Sequence, residues 1–218
     1  MNHRQTGLLL IVLAALGAGS GALLTGCEDG AKSRASAPQL DEDRPGRTAG
    51  NGTGTATGAA INCRTLAHWT GTGSGPRINQ RHVFCGEWDK RRSTPKGFHS
   101  RPGGRNPGTV AKLEISQRPD SAGIYGIRWR FSGEHGDDKF STMFPDHCTR
   151  EQVLASIGYA AQHRQRCPSG APHWAWCGPS AATGDRAKGY CTGKDSTRFT
   201  IAGGTLDDGR INTAFPLR

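Results

Sequence analysis

The feature that most limits this chain is its cysteine count after residue 60. Cys63, Cys85, Cys148, Cys167, Cys177 and Cys191 form an even set within residues 61–218 of a 218-residue sequence. Behind an export leader, such a set reads as three disulfides, and the sequence leaves fifteen connectivities open. A zinc site is the competing use, because His147 adjoins Cys148 and His173 lies between Cys167 and Cys177. No C-x-x-C or H-x-x-x-H spacing accompanies them, so disulfides are the expectation and metal ligation is not.

The leader itself is legible. Arg4 supplies a positive n-region, and Leu8 to Leu16 form an apolar run too short for a comfortable membrane span. It closes in Leu24-Thr25-Gly26-Cys27, which resembles a bacterial lipobox. Residues 1–26 are therefore expected to be a removed signal peptide and Cys27 the acylated new N-terminus. From 27 to 60 the composition turns to Gly, Ala, Ser, Thr and Asp with hardly any large apolar residue. Such a segment cannot bury enough surface to offset its ordering entropy, and reads as a flexible low-complexity tether. Residues 61–218 suit one folded domain, expected outside the cytoplasm and held to the cell membrane only by the lipid.

Charge narrows the partner. The chain carries 28 Lys and Arg against 18 Asp and Glu; five of each precede residue 61, so the net charge of +10 belongs to residues 61–218. A strongly basic domain favours a polyanion, whether nucleic acid, anionic lipid or an acidic wall polymer.

Local patterns point to short strands with Gly and Pro between them. Thr109 to Ser116 and Gly123 to Phe131 alternate with period two, predicting a hairpin. Ser196 to Ala202 and Arg210 to Phe215 predict a second, with residues 203–209 between them turning at Asp208-Gly209. One helix is expected from a Thr149 cap to about Arg164. Gln152 completes a capping box, Val153, Leu154, Ile157, Ala160 and Ala161 form its apolar face, and Cys167-Pro168 stops it. Residues 165–195, rich in Gly, Pro and Cys, read as a loop-rich insertion held by disulfides.

Within this frame, His82 and His99 stand seventeen positions apart, with Lys90, Arg91, Arg92 and Lys96 between them and Gly86 and Gly97 close by. Histidine both gives and takes protons near neutral pH. Two on neighbouring loops amid positive charge are suited to moving a proton between phosphate-ester oxygens.

Four blocks then resemble the bacterial branch of the EndoU-type endoribonucleases, all between about Gln80 and Arg218. They are His82-Val-Phe-Cys-Gly86-Glu87, Gly97-Phe98-His99-Ser100, Lys139-Phe140-Ser141-Thr142-Met143-Phe144-Pro145 ahead of the expected helix, and Ile211-Asn212-Thr213-Ala214-Phe215-Pro216. The resemblance implies an α+β fold in which two antiparallel β-sheets flank a cleft beside at least one packed amphipathic helix, stabilised by disulfides. It implies cleavage of single-stranded RNA at pyrimidines, uridine preferred, leaving a 2′,3′-cyclic phosphate and a 5′-hydroxyl. No cofactor is required in this chemistry, although manganese stimulates some members.

By the same match His99 is the general base, His82 the general acid and Lys139 the group stabilising the phosphorane, with the two histidine roles open to exchange. Thr213 would hydrogen-bond base or phosphate, Phe215 would stack on the pyrimidine, and Ser141 and Gly97 would line the substrate site. Gly97 would also turn the chain tightly and bring backbone N–H groups to the phosphate. Phe215 keeps the stacking face of the tyrosine found in other members and lacks its hydroxyl. Lys112 is an alternative to Lys139. RNA is the expected partner, an immunity protein joins it if the enzyme is a toxin, and no stable oligomer is expected. The competing function is a non-catalytic basic module that holds RNA or another polyanion at the cell surface. A two-metal nuclease would need carboxylate clusters, and Asp137-Asp138 and Asp207-Asp208 read instead as turn residues.

Overall fold

The computed structural model describes residues 59–71 and 75–218. The expected signal peptide, the Cys27 anchor and all but the end of the tether lie outside the described residues.

Among the described residues, ten strands and two α-helices make an α+β fold. Chain order runs β1 (Trp69–Thr70), β2 (Ile78–Asn79), α1 (Gln80–Phe84), β3 (Glu87–Asp89), β4 (Thr94–Lys96), β5 (Val110–Gln117), β6 (Tyr125–Phe131), β7 (Lys139–Met143), α2 (Arg150–Gln162), β8 (Trp176–Pro179), β9 (Thr200–Thr205) and β10 (Ile211–Pro216). One sheet has the order β1-β2-β10-β9-β8, a second β5-β6-β7, and β3-β4 forms a small ribbon. All pairings are antiparallel except β10 with β2, which run parallel at Ile211 and Ile78.

The first hairpin forms as its alternation predicts. On β6, Tyr125, Ile127 and Trp129 are buried while Arg128 and Arg130 face solvent, so one face covers a core and the other stays wet. The second hairpin turns at Asp208-Gly209 as expected, with Leu206 N–H donating to the Arg210 carbonyl at 2.8 Å. Its first strand starts later and runs further than expected, because Lys194–Ser196 form a 3₁₀ turn and Gly203-Gly204 belong to β9. Those glycines are strand residues since indole rings take the space of their side chains: a Cβ at Gly203 would collide with Trp176, and one at Gly204 would lie 3.1 Å from Trp174.

Helix α2 carries the capping box in full. Thr149 accepts from the Gln152 N–H at 3.2 Å, and the Gln152 side chain accepts from the Thr149 N–H at 2.9 Å. Val153, Leu154, Ile157 and Ala160 are buried and Ala161 half-buried. The helix ends at Gln162, earlier than Cys167-Pro168 requires. The segment after it is not all loop: β8 forms the edge of the five-stranded sheet, paired to β9.

Two apolar cores result. The larger gathers Ile78, Val83, Phe84, Phe144, Val153, Ile157, Ile201 and Ala214, so α1 and α2 pack on the five-stranded sheet. The smaller consists of Phe98, Tyr125, Ile127, Trp129 and Met143 beside Val110, Leu113 and Phe131. The cysteines pair Cys63–Cys85, Cys148–Cys191 and Cys167–Cys177. All six are thus consumed as disulfides, which requires an oxidising surrounding. No helix among the described residues is long and apolar enough to cross a membrane.

Candidate active site

His82 lies on helix α1, not on a loop as the sequence suggests. Five residues are too few to form a helix alone, and Asn79 nucleates this one by accepting the His82 N–H at 3.0 Å. The same Asn79 donates from Nδ2 to Glu87 Oε1 at 3.2 Å. Glu87 Oε2 in turn lies 2.8 Å from His82 Nδ1, and Glu87 Oε1 3.2 Å from His68 Nε2. Burial works to raise the Glu87 pKa, but the hydrogen bond and charge of His82, with the Asn79 hydrogen bond and the His68 charge, together outweigh it and hold the carboxyl below its usual range. An ionised carboxylate can only accept, so His82 Nδ1 carries the hydrogen, and Nε2 is the nitrogen left for the cleft.

His99 follows a tight reversal. Gly97 and Phe98 both take left-handed backbone conformations, at φ +70° and +58°. Phe98 N–H donates to the His82 carbonyl and His99 N–H to the Val83 carbonyl, each at 2.7 Å. A Cβ on Gly97 would collide with the His82 carbonyl oxygen, so glycine is what lets the two histidine segments touch. The amides of Phe98 and His99 are thereby spent on α1.

The His99 ring is tied to the opposite sheet. Its Nδ1 lies 3.0 Å from the Thr142 carbonyl on β7, and a carbonyl only accepts, so Nδ1 carries the hydrogen and Nε2 the lone pair. Burial pushes the His99 pKa well below its ordinary value, and the charges of Lys139 and His82 add to this against the opposing Thr142 carbonyl. The two imidazoles face each other at a centroid distance of 6.2 Å. One is held neutral and the other sits on a carboxylate.

Lys139 opens β7. Its Nζ donates to the Phe140 carbonyl at 2.9 Å and to Ser141 Oγ at 2.8 Å, leaving a third proton unused. Burial lowers its pKa to about 8. Ser141, 2 % exposed, also accepts from Trp129 Nε1 at 3.1 Å and donates to the Gly97 carbonyl at 2.9 Å. One donor and two acceptor positions exhaust a hydroxyl. Ser141 therefore holds Lys139 and the Gly97 turn in place.

His82, His99, Lys139, Thr213 and Phe215 line one cleft of about 340 Å³, along with Lys96, Gly97, Phe140, Ser141, Thr142 and Trp174. Thr213 and Phe215 alternate on β10 with the fully buried Ala214, and Phe215 lies 5.3 Å from the His99 ring. Lys112 is not in this cleft and pairs with Asp138 at 3.4 Å. Asp138 and Asp208 are bound to Arg130 and Arg210, as turn residues would be. His147 donates to or accepts nothing at the cleft and contacts the Thr192 carbonyl at 2.9 Å.

Five features in or beside the cleft escape sequence reasoning. Glu87 is quoted in its block yet given no role, although a carboxylate one residue beyond the Gly86 turn is a ready partner for His82. Lys96 and Phe140 stand in quoted stretches without an assigned role, and Trp174 carries no local signal. Thr142 Oγ1 is buried without a hydrogen-bond partner among the described residues.

No curated protein and no solved structure matches the chain. The family model described as bacterial EndoU nuclease matches residues 76–218, a span that contains both histidines, Lys139 and the closing Thr213 and Phe215. The chain belongs to the bacterial EndoU nuclease family.

Proposed function

We propose that this nuclease is an endoribonuclease that cuts single-stranded RNA at pyrimidines, with uridine preferred. The observation that carries the proposal is the unequal fixing of two facing imidazoles. His99 is kept neutral with its Nε2 lone pair free, while His82 is backed by the Glu87 carboxylate. His99 Nε2 takes the ribose 2′-hydroxyl proton, the 2′-oxygen attacks phosphorus, and the bond to the 5′-oxygen breaks. His82 Nε2–H protonates that departing oxygen. The products are a 2′,3′-cyclic phosphate and a 5′-hydroxyl. The third Lys139 proton meets the negative charge gathering on the equatorial oxygens. Phe215 stacks on the base, worth about 1 to 3 kcal/mol, and Thr213 hydrogen-bonds it.

In this reading the enzyme is exported, with residues 1–26 removed, Cys27 acylated and residues 27–60 as tether. The three disulfides support an oxidising location. A lipid-tethered ribonuclease of this kind is suited to action as a toxin on neighbouring cells, guarded in the producer by an immunity protein. No cofactor takes part in the steps above, and manganese is an addition to be tested.

The test incubates the disulfide-bonded protein with a short RNA carrying one uridine, with manganese or with EDTA, and reads products by mass. A 2′,3′-cyclic phosphate at the uridine, lost in His99→Ala and in His82→Ala, is the expected result. Intact RNA from folded protein, with affinity that falls steeply with salt, would replace this function by a basic binding module.

A further inference from the structure

Two of the four large apolar side chains that remain exposed among the described residues, Phe140 and Trp174, line the cleft. Trp174 is the more open, at 53 % exposure. Its ring centroid lies 6.1 Å from that of Phe215, at an interplanar angle of 63°. Phe215 is itself 5.3 Å from His99. The aromatic surfaces therefore continue outward from the reacting centre, through Phe215 to Trp174.

The placement is built. The indole is seated over Gly204, where a Cβ would come within 3.1 Å of it. Its loop is closed at the base by Cys167–Cys177. It is braced inside by the Ala175 N–H to the Pro172 carbonyl at 3.0 Å and outside by the Gln165 N–H to the Cys177 carbonyl at 2.8 Å. Nothing in either core requires this ring, since it packs on strand backbone at the mouth of the cleft. A large, rigid, half-open aromatic beside a base-stacking residue has the character of a second stacking platform.

We propose that Trp174 forms a base subsite for the nucleotide next to the one over Phe215. The proposal rests on the RNA-cleaving reading above and deepens it. Because the two rings stand 63° apart, they cannot serve two bases that remain stacked on one another. The site therefore takes bases splayed from each other, as single strands and loops allow and duplexes do not.

The probe is a fluorescein-labelled trinucleotide with a central 2′-deoxyuridine, which lacks the attacking hydroxyl, so binding is read without cleavage. Its neighbours are adenine or an abasic sugar, on the 5′ or the 3′ side, which keeps every phosphate constant. For the parent protein, one abasic neighbour is expected to weaken binding about tenfold. Trp174→Ala should bind both probes alike, at the weaker level, and Trp174→Phe should regain most of the difference. A parent indifferent to both abasic positions, or a Trp174→Ala variant as sensitive to them as the parent, would overturn the subsite. Cleavage of the uridine-containing RNA by the same preparations is scored separately. Trp174-dependent binding without cleavage keeps the subsite and removes the endoribonuclease, whereas cleavage without Trp174-dependent binding removes the subsite alone.

Discussion

Glu87 Oε2 lies 2.8 Å from His82 Nδ1, and the same carboxylate is held from behind by Asn79, which also caps the helix that carries His82. Ring orientation and backbone position of the proposed acid thus share one anchor. In Glu87→Gln the amide offers Nδ1 either an oxygen without charge or a competing donor, so the ring loses its fixed tautomer. Turnover should fall by roughly ten- to a hundredfold, a share of the whole acid–base contribution, with KM little changed. Steady-state kinetics on a uridine dinucleotide decide it, and an unaltered kcat would make Glu87 a helix-packing residue only.

With His99 as the proposed base, the acid limb of the pH–rate profile should belong to it. Burial holds its pKa well below 6.5, and a general base must be neutral. Activity should therefore persist as pH falls through 6.5 and disappear only at lower pH, as read from kcat/KM, which reports the free enzyme. The same depression carries a stability cost. Below pH 6.5 the unfolded chain binds a proton that the folded chain refuses, so stability declines as pH falls. A kcat/KM midpoint at or above 6.5 would contradict the neutral-base assignment.

Lys139 is the reverse case, a cation kept partly out of water. Its folded pKa of about 8 lies below the unfolded value, so burying the charge costs stability at every pH below 8. That cost fades as pH rises from the folded value to the unfolded one. Lys139→Met should lose about 10²- to 10³-fold in kcat and gain on the order of 1 kcal/mol in stability. The gain should be full at pH 7 and smaller at pH 9. Urea titrations at the two pH values check the sign; a destabilised variant at pH 7 would mean that the ammonium's bonds to Ser141 and Phe140 outweigh its desolvation.

Gly97→Ala meets two obstacles together. The position has φ +70°, and the added carbon would strike the His82 carbonyl, backbone that cannot swing aside. A loss of about 3 kcal/mol is expected, with catalysis impaired in whatever remains folded because the two histidine segments are forced apart. Denaturation of the disulfide-bonded variant measures the first effect. Parent-like stability would show that the reversal adapts more freely than its hydrogen bonds suggest.

The elements that were legible in the sequence are those whose signal is local. The β5–β6 hairpin announces itself by alternation and α2 by its capping box, because each is stabilised by residues within reach along the chain. The site was legible in another way, through short blocks around His82, His99, Lys139 and Phe215 that the fold brings to one cleft. What stayed hidden depends on distant partners. Helix α1 exists because Asn79 caps it and the larger core covers Val83 and Phe84. Strand β8 has no period of its own and is a strand because β9 pairs with it. Gly203-Gly204 look like a turn until two indoles are seen to occupy their side-chain space. Trp174 has no meaning without Phe215 opposite it.

All three disulfides bear on the core beneath the five-stranded sheet, to which Cys85, Cys148 and Cys191 belong, or on strand β8 at its edge. The core under Lys139's sheet contains no cysteine. A reductant therefore loosens one wall of the cleft and spares the other. In a thiol-rich interior, Thr213 and Phe215 would drift from Lys139 while β5, β6 and β7 still held together. Reduction would therefore cost the site its Thr213 and Phe215 wall before its Lys139 wall, so the two halves of the cleft age at different rates.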